Sequence, residues 1–476
     1  MVRYNRRTFL RLAGAAFGAA TLGAGPALGG TGKDSRFLID LREVSRSDVP
    51  EDVEIIHDIS QIDLLAARGD ASSVGGREAT TPDIRVYRHA SGPAVERNGP
   101  TINENTRSHN HDGPPTNTEL QWDKRVQNVG DLTDKPGGGK FIHDTTKGKD
   151  TRVAVVDTGV YDAHPDLRSV VNDELSENFT TDNYDWRPHG AGSHGTHVAG
   201  TIAATNSNDG PAGGVLGTAP ETEIIAHRVF SGVKGEGATT GDTVAALAAA
   251  ADKGCDAANF SVGYIHHNPE KYPRLLAIKK IYRRLTKYVR SKGMVFVNSA
   301  GNSALNMDAK NTLVLPTEVK GIFGVSATGP IGFGWGSKHD WNEAKWLTGN
   351  RLEEPTTAPA FYTNYGSDVD LSAAGGTADL EALGSVPGAQ RDLVYSTIYE
   401  TTESGDTIAG YGWKAGTSMA APQVTGAVAL VRSLRPDASV SEVERLIKET
   451  ASDVGSVTYH GAGHLDLKRL VKRSVK

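Results

Sequence analysis

A large α/β domain with a mostly parallel sheet covered on both faces, preceded by a small α+β block, is the architecture this sequence predicts. Three observations predict it. From about residue 120 onward, stretches of strand and helix composition alternate; a compact block with strand-like segments occupies residues 34–95; and an almost wholly polar stretch with Gly and Pro, residues 96–118, separates the two. Strands that alternate with helices imply parallel pairing, because each crossover lays a helix on one face of the sheet. Ligands of such sheets gather at the carboxyl ends of the strands.

The elements follow in chain order. Residues 1–30 place a twin arginine, in NRRTFLR at Asn5 to Arg11, before the soft apolar stretch LAGAAFGAATLGAG and the small residues PALGG. This resembles a twin-arginine export signal. A membrane anchor is the competing reading, but the stretch falls short of the about 18 apolar residues a span needs and is rich in Ala and Gly. No comparable run follows, so the processed protein is expected to be secreted, soluble and without a membrane partner. In the block, RFLIDLREV and IRVYRH read as strands, and apolar residues at Ile62, Leu65 and Ala66 have helical spacing. The polar stretch 96–118 reads as an exposed linker, where proteolytic nicking concentrates. Signal, small block, cleavable linker and large domain (119–476) are together the layout of a zymogen.

In the large domain RVAVVDTG reads as a buried strand, HVAGTIAAT and GDTVAALAAAADKG as helices, and ANFSVG as a strand. Apolar residues at Ile278, Ile281, Tyr282, Leu285, Tyr288 and Val289 form one helical face, and MVFVN is the next strand. Cys255 is the one cysteine of the 476 residues, so no intramolecular disulfide can form, and its place before a strand marks it as a small core residue. The formal net charge of −6 comes with no basic patch, which argues against nucleic acid as a partner.

Three motifs carry chemistry. VAVVDTG puts Asp157 just past the end of a buried strand, SHGTHVAGT puts His194 at the start of an Ala-rich helix, and GTSMAAPQVTGAVAL puts Ser418 at the start of another. Singly, each has an ordinary reading as turn, loop or cap residue. Together, VDTGVYDAHPDL, HGTHVAGT and GTSMAAPQVTGA resemble the three signatures of the subtilisin (subtilase) family, in that family's order Asp, His, Ser. The likeness runs from about Gln121 to Leu470. It implies a three-layer subtilisin-like fold and a serine endopeptidase in which Ser418 is the nucleophile, His194 the general base and later acid, and Asp157 the group that orients the imidazole. The AGN of VNSAGNS implies Asn302 as oxyanion donor beside the Ser418 amide, with Asn298 outside the signature. Pro422 is placed in the first turn of its helix, where amides lack partners.

The same resemblance makes GEGAT, with Gly235 and Gly237, and NFSVGY, with Asn259, Ser261 and Gly263, the strands that would pair with an extended substrate. Two departures stand out. Tyr264 replaces a second Gly, with a specificity pocket as the place it could narrow, and Gln423 replaces a His without touching the triad. Asp166 matches a family calcium ligand, and the loop TNSNDGPAGG offers Asn206, Asn208 and Asp209 as oxygen donors; a solvated Gly/Asn turn is the other reading of that loop. No organic cofactor is implied, and the protein is expected to be a monomer acting on protein or peptide substrates. The block at 34–95 is similar in size and position to the family's inhibitory propeptide. Residues 328–360, with Trp335, Trp341 and Trp346, are an insertion of unassigned task. Two alternatives remain: a subtilisin-fold binding module without catalysis, which should have lost a triad or oxyanion residue, and an α/β-hydrolase, which needs a G-x-S-x-G elbow and the order Ser, Asp, His.

Overall fold

The computed structural model describes residues 35–75, 79–88, 94–95, 116–130, 141–233, 237–267, 273–330, 357–378, 380, 383, 389–402 and 404–475. The twin-arginine segment, most of the linker, Gly235 and the three Trp residues of the insertion lie outside them.

The N-terminal block contributes β1 (Ser35–Asp40), β2 (Glu54–Ile59), β3 (Leu64–Gly69), β4 (Thr80–Pro82), β5 (Arg85–Arg88) and β6 (Ala94–Val95). Its four-stranded sheet has the order β2-β3-β1-β4, with antiparallel pairing throughout. The helix expected around Ile62, Leu65 and Ala66 is not there. Ser60–Ile62 form one 3-10 turn, and Leu64 to Ala67 are the buried centre of β3. The apolar run is continuous because both faces of this strand are covered. Leu64 and Ala66 join the core under the large domain's helices, while Leu65 and Ala67 pack with Phe37, Ile39, Val53 and Val74 on the other face. A strand buried on both sides loses its period-2 signature.

The large domain holds β7 (Arg152–Asp157), β8 (Glu177–Asn178), β9 (Glu223–Arg228), β10 (Ala238–Thr239), β11 (Ala257–Phe260), β12 (Val262–His267), β13 (Val295–Ser299), β14 (Thr312–Leu315), β15 (Phe323–Thr328), β16 (Leu371–Ala374), β17 (Val394–Thr401) and β18 (Thr407–Lys414). Its helices are α1 (Trp122–Val126), α2 (His194–Ala203), α3 (Thr240–Asp252), α4 (Pro273–Ser291), α5 (Thr417–Leu434), α6 (Val440–Thr450), α7 (Val457–His460) and α8 (Leu467–Ser474). The central sheet has seven parallel strands in the order β16-β15-β13-β11-β7-β9-β8. Alternation along β7 shows the layering: Val153 and Val155 face the core of α2, α5, α6 and α8, whereas Ala154 and Val156 face the core of α3 and α4. Cys255 is buried in the second core, and burial pushes its thiol up to about 12, which suits a packing residue.

Local chemistry explains the helix starts. Thr239 and Asp242 form a reciprocal capping box on α3, and Ser439 and Glu442 do so on α6. Pro422 is the sixth residue of α5, past the first turn, and so removes an amide that would have bonded the Ser418 carbonyl. That carbonyl instead accepts from Ser261 Oγ at 3.4 Å.

Helix α2 lies against β17 so closely that a Cβ at Gly200 would sit 2.1 Å from Thr397 Oγ1 and 2.6 Å from Ser396 Oγ. Both hydroxyls are already fixed on carbonyls of α2, Thr397 on Thr196 and Ser396 on His197. Gly200→Ala is therefore expected to cost about 1–3 kcal/mol by overpacking, read as a lower denaturant midpoint.

Candidate active site

The chemistry-bearing residues stand at the end of a central strand and at the starts of two helices. Asp157 is the last residue of β7 and fully buried; His194 is the first of α2; Ser418 is the second of α5. Helices α2 and α5 pack on one another beneath them. His194 Nδ1 donates to the Asp157 carboxylate, 2.8 Å from Oδ1 and 2.9 Å from Oδ2. The Thr158 amide donates to Asp157 Oδ1 at 2.7 Å, and Thr158 Oγ1 accepts from the Gly195 amide at 2.9 Å, which ties strand end to helix start. Glycine is required at 195 because a Cβ there would lie 2.3 Å from the Gly159 carbonyl oxygen.

The SHGTH segment contains a second histidine, and geometry separates the two. His197 is fully buried, its Nε2–H is shared between the carbonyls of Val394 and Gly412 at 3.2 Å each, and burial holds it well below the usual histidine range. Of these two, His194 alone has a carboxylate on a ring nitrogen, and it is 8% exposed.

Asn302 follows the end of β13 by three residues, and its Oδ1 accepts from the Thr417 amide (2.9 Å) and the Thr417 hydroxyl (2.8 Å). The Gly301 amide closes the loop on Thr417 Oγ1 at 3.0 Å. With Oδ1 held in this way, Nδ2 stands at the start of α5, 3.1 Å from where a Cβ on Gly416 would be. The first amides of a helix lack intrahelical partners, and the Ser418 N–H at the start of α5 is one of these. Asn298 is used elsewhere: its Nδ2 donates to Thr317 Oγ1 (2.8 Å) and the Ser299 carbonyl (3.0 Å).

A strand of the N-terminal block lies along the segments around Gly237 and Gly263. β5 of the N-terminal block lies between β10 and β12, antiparallel to both, with Val86 opposite Ala238 and Tyr87 opposite Gly263. Its side chains alternate, Val86 buried and Tyr87 exposed. Gly237 directly precedes β10, and Gly263 lies in β12. Ser261 joins groove to helix, since its carbonyl accepts from Ser418 Oγ at 3.4 Å. Asn259 plays a supporting part, donating to Ser261 Oγ (3.1 Å) and accepting from Thr425 Oγ1 (3.0 Å) from within the core. Tyr264 belongs to the same core as Phe260 and Tyr282 and is 5% exposed with β5 in place.

Two further features stand beside the site, the first of them marked by no motif. Lys124 is fully buried, with Nζ on the Thr201 carbonyl and Thr218 Oγ1 at 2.9 Å each and on Gln423 Oε1, while Gln423 Nε2 donates to Asp123 at 2.7 Å. The Gln in place of His thus serves a polar core cluster joining α1, α2 and α5. The other concerns the expected calcium ligands. Both oxygens of Asp166 accept from protein donors, Asn206 Oδ1 accepts from the Gly214 amide, and Asp209 is exposed. Among the described residues no group of three or more His, Cys, Asp or Glu could hold a metal ion. These residues do not fit a calcium site.

The sequence model of the Subtilase family matches residues 148–466, about two thirds of the chain. The chain belongs to the subtilase family. It is 29% identical over 325 residues to subtilisin DY of Bacillus licheniformis, covering 68% of this chain and 91% of that protein. To subtilisin BL of Lederbergia lenta it is 30% identical over 318 residues, covering 66% and 88%. The solved epidermin leader peptide processing serine protease of Staphylococcus aureus shares the fold with a TM-score of 0.64 at 17% identity, over 94% of this chain and 99% of that one. This subtilase is accordingly a subtilisin-like serine endopeptidase, of a family that uses no organic cofactor. Its relatives include proteases named as extracellular and as intracellular. Among its described residues no helix is long and apolar enough to cross a membrane.

Proposed function

We propose that this subtilase cleaves peptide bonds through an acyl-enzyme on Ser418, with His194 as general base and acid, Asp157 as its orienting partner and Asn302 as oxyanion donor. The observation that carries this reading is the two-pronged bond from Asp157 to His194 Nδ1, at 2.8 and 2.9 Å, beside the helix start that bears Ser418. With Nδ1 protonated on the carboxylate, Nε2 is left as the acceptor. The Ser418 hydroxyl rotates from the Ser261 carbonyl to Nε2, loses its proton there and attacks the scissile carbonyl carbon. The carbonyl oxygen takes up negative charge between the Ser418 amide and Asn302 Nδ2. The imidazolium then protonates the leaving amine, and water repeats the sequence to release the acid product. A fluorophosphonate probe tests the assignment: one adduct is expected, mapped to Ser418 by peptide mass. Labelling elsewhere, or none in a folded processed enzyme, would remove Ser418 from the role.

The protein is further read as an exported zymogen: residues 1–30 a twin-arginine signal, 34–95 an inhibitory propeptide, 96–118 a cleavable linker and 119–476 the peptidase. Support for the inhibitory part comes from the groove itself. β5 fills the substrate-pairing position, and β6 continues on the far side by pairing Ala94 with Lys414 and Val95 with Trp413, close before Ser418. Buried charge fixes the block in place: Arg36 bonds Asp242 (2.6 Å), Asp83 (3.1 Å) and Thr239 (2.9 Å), and His57 bonds Asp242 (2.9 Å). Because β5 ends at Arg88 beside β12 and β6 begins at Ala94 beside β18, the first self-cleavage is expected between residues 88 and 94, with later cuts in the linker. Mass spectrometry of early processing products should find new termini between residues 88 and 94. Products that begin only within 96–118 would place the first cut in the linker instead.

A further inference from the structure

We propose that Asp166 and Tyr411 replace a metal as the fastening of the loop 205–216, so that this loop is held by hydrogen bonds to a buried carboxylate and is independent of calcium. Asp166 is fully buried beneath the loop. Its Oδ1 accepts from the Ser207 amide at 2.6 Å, and its Oδ2 accepts from the Val215 amide at 2.8 Å and from the Tyr411 hydroxyl at 2.8 Å. The two amides come from the two ends of the loop, so one carboxylate closes it. Three N–H or O–H dipoles aimed at the oxygens present positive ends to the space a cation would need. A calcium ion asks for six to eight oxygens with their lone pairs turned inward; here the donors point the other way.

The surroundings are built for the same arrangement. Tyr411 Oη also accepts from Asn208 Nδ2 at 2.9 Å, the Thr205 amide donates to the Asp166 carbonyl at 3.0 Å, and Asn206 Oδ1 holds the Gly214 amide at 2.9 Å. Asn206 therefore spends its side-chain oxygen on the loop itself, and Asn208 its amide on Tyr411. At Gly214 a Cβ would fall 2.3 Å from Asp166 Oδ1, which allows only glycine at this close approach. The Tyr411 ring stands edge-on to His164, with centroids 5.1 Å apart, and His164 Nε2–H donates to the Gly410 carbonyl at 3.0 Å. Tyr411 lies on β18, the strand that leads into Ser418 and α5, so the bond couples loop 205–216 to the strand in front of the nucleophile.

Hydrogen exchange read by mass spectrometry tests this in the full-length Ser418→Ala precursor, where self-digestion cannot interfere and the outcome does not depend on the catalytic assignment. Peptides covering 205–216 should exchange at the same rate with calcium and with a chelator. Tyr411→Phe, which deletes one oxygen atom, should raise their exchange at least tenfold in both conditions. Terbium luminescence supplies a second readout, with any signal expected to be equal in the precursor and in its Asp166→Asn variant. The proposal is overturned if chelation speeds exchange in this loop, if a terbium signal is lost on Asp166→Asn, or if Tyr411→Phe leaves exchange unchanged.

Discussion

Ser418→Ala is expected to lower kcat by about 10⁶-fold, the scale seen when a subtilisin loses its nucleophile. The residual rate comes from binding and oxyanion donors acting on an attacking water. The hydroxyl is the only group at the start of α5 that can form the acyl-enzyme, because Thr417, its neighbour, has its own hydroxyl committed to Asn302. Loss of one oxygen atom leaves the helix, its Gly416 approach and the Asn302 anchor in place. The melting temperature should therefore change little, and the precursor should fold and stay full length. Steady-state hydrolysis of a chromogenic peptide, with melting measured on the same preparation, checks both statements.

The second large effect is at Asn302. Asn302→Ala is expected to lower kcat by about 10²–10³-fold, or about 3–4 kcal/mol of transition-state stabilisation, with KM nearly unchanged. The reason for the split is that the donor meets the oxygen only once negative charge has developed on it. Asn302 also has a structural task, since Oδ1 holds the Thr417 amide. Asn302→Asp separates the two tasks: it keeps an acceptor for Thr417 but puts a negative charge where the oxyanion forms. Stability should be retained better than in Asn302→Ala, whereas activity should fall at least as far. A loss of activity that tracked stability across both variants would assign Asn302 a structural role alone.

The central domain was readable in the sequence because its strands and helices each carry an unambiguous pattern. RVAVVD holds the unbroken apolar run Val153–Val156, and α4 shows its buried face at Ile278, Ile281, Tyr282, Leu285 and Val289. The seven-stranded parallel sheet follows from that alternation. The block was harder because β3 is covered on both faces, and LLAA then offers no strand periodicity to set against the helical spacing at Ile62, Leu65 and Ala66. Pro422 was misplaced for a related reason: helix α5 starts at Thr417, and only the observed start shows that Pro422 stands in the second turn.

Within the site, the pairing of Asp157 with His194 and the nearness of Asn302 to the start of α5 were expected from motifs. Partners far apart in sequence were not. The Tyr411 hydroxyl reaches Asp166 across 245 positions, and Gln423 reaches Asp123 across 300. Nothing local marks such contacts, so the HPDL motif offers Asp166 as a calcium ligand without showing the donors that reach it. Lys124 gave one signal that could have been used: a lysine flanked by the buried Trp122 and the apolar Val129 has to bring its own acceptors into the core.

The most direct test of the whole account follows wild-type precursor and Ser418→Ala side by side, by intact mass and by hydrolysis of unfolded casein. Wild type alone is expected to shorten past the N-terminal block and then digest casein, while the variant keeps its full mass and leaves casein intact. If both chains, shown to be folded, stayed full length and inert, the residues gathered around His194 would not form a working peptidase site. The fold would then be serving as a binding module.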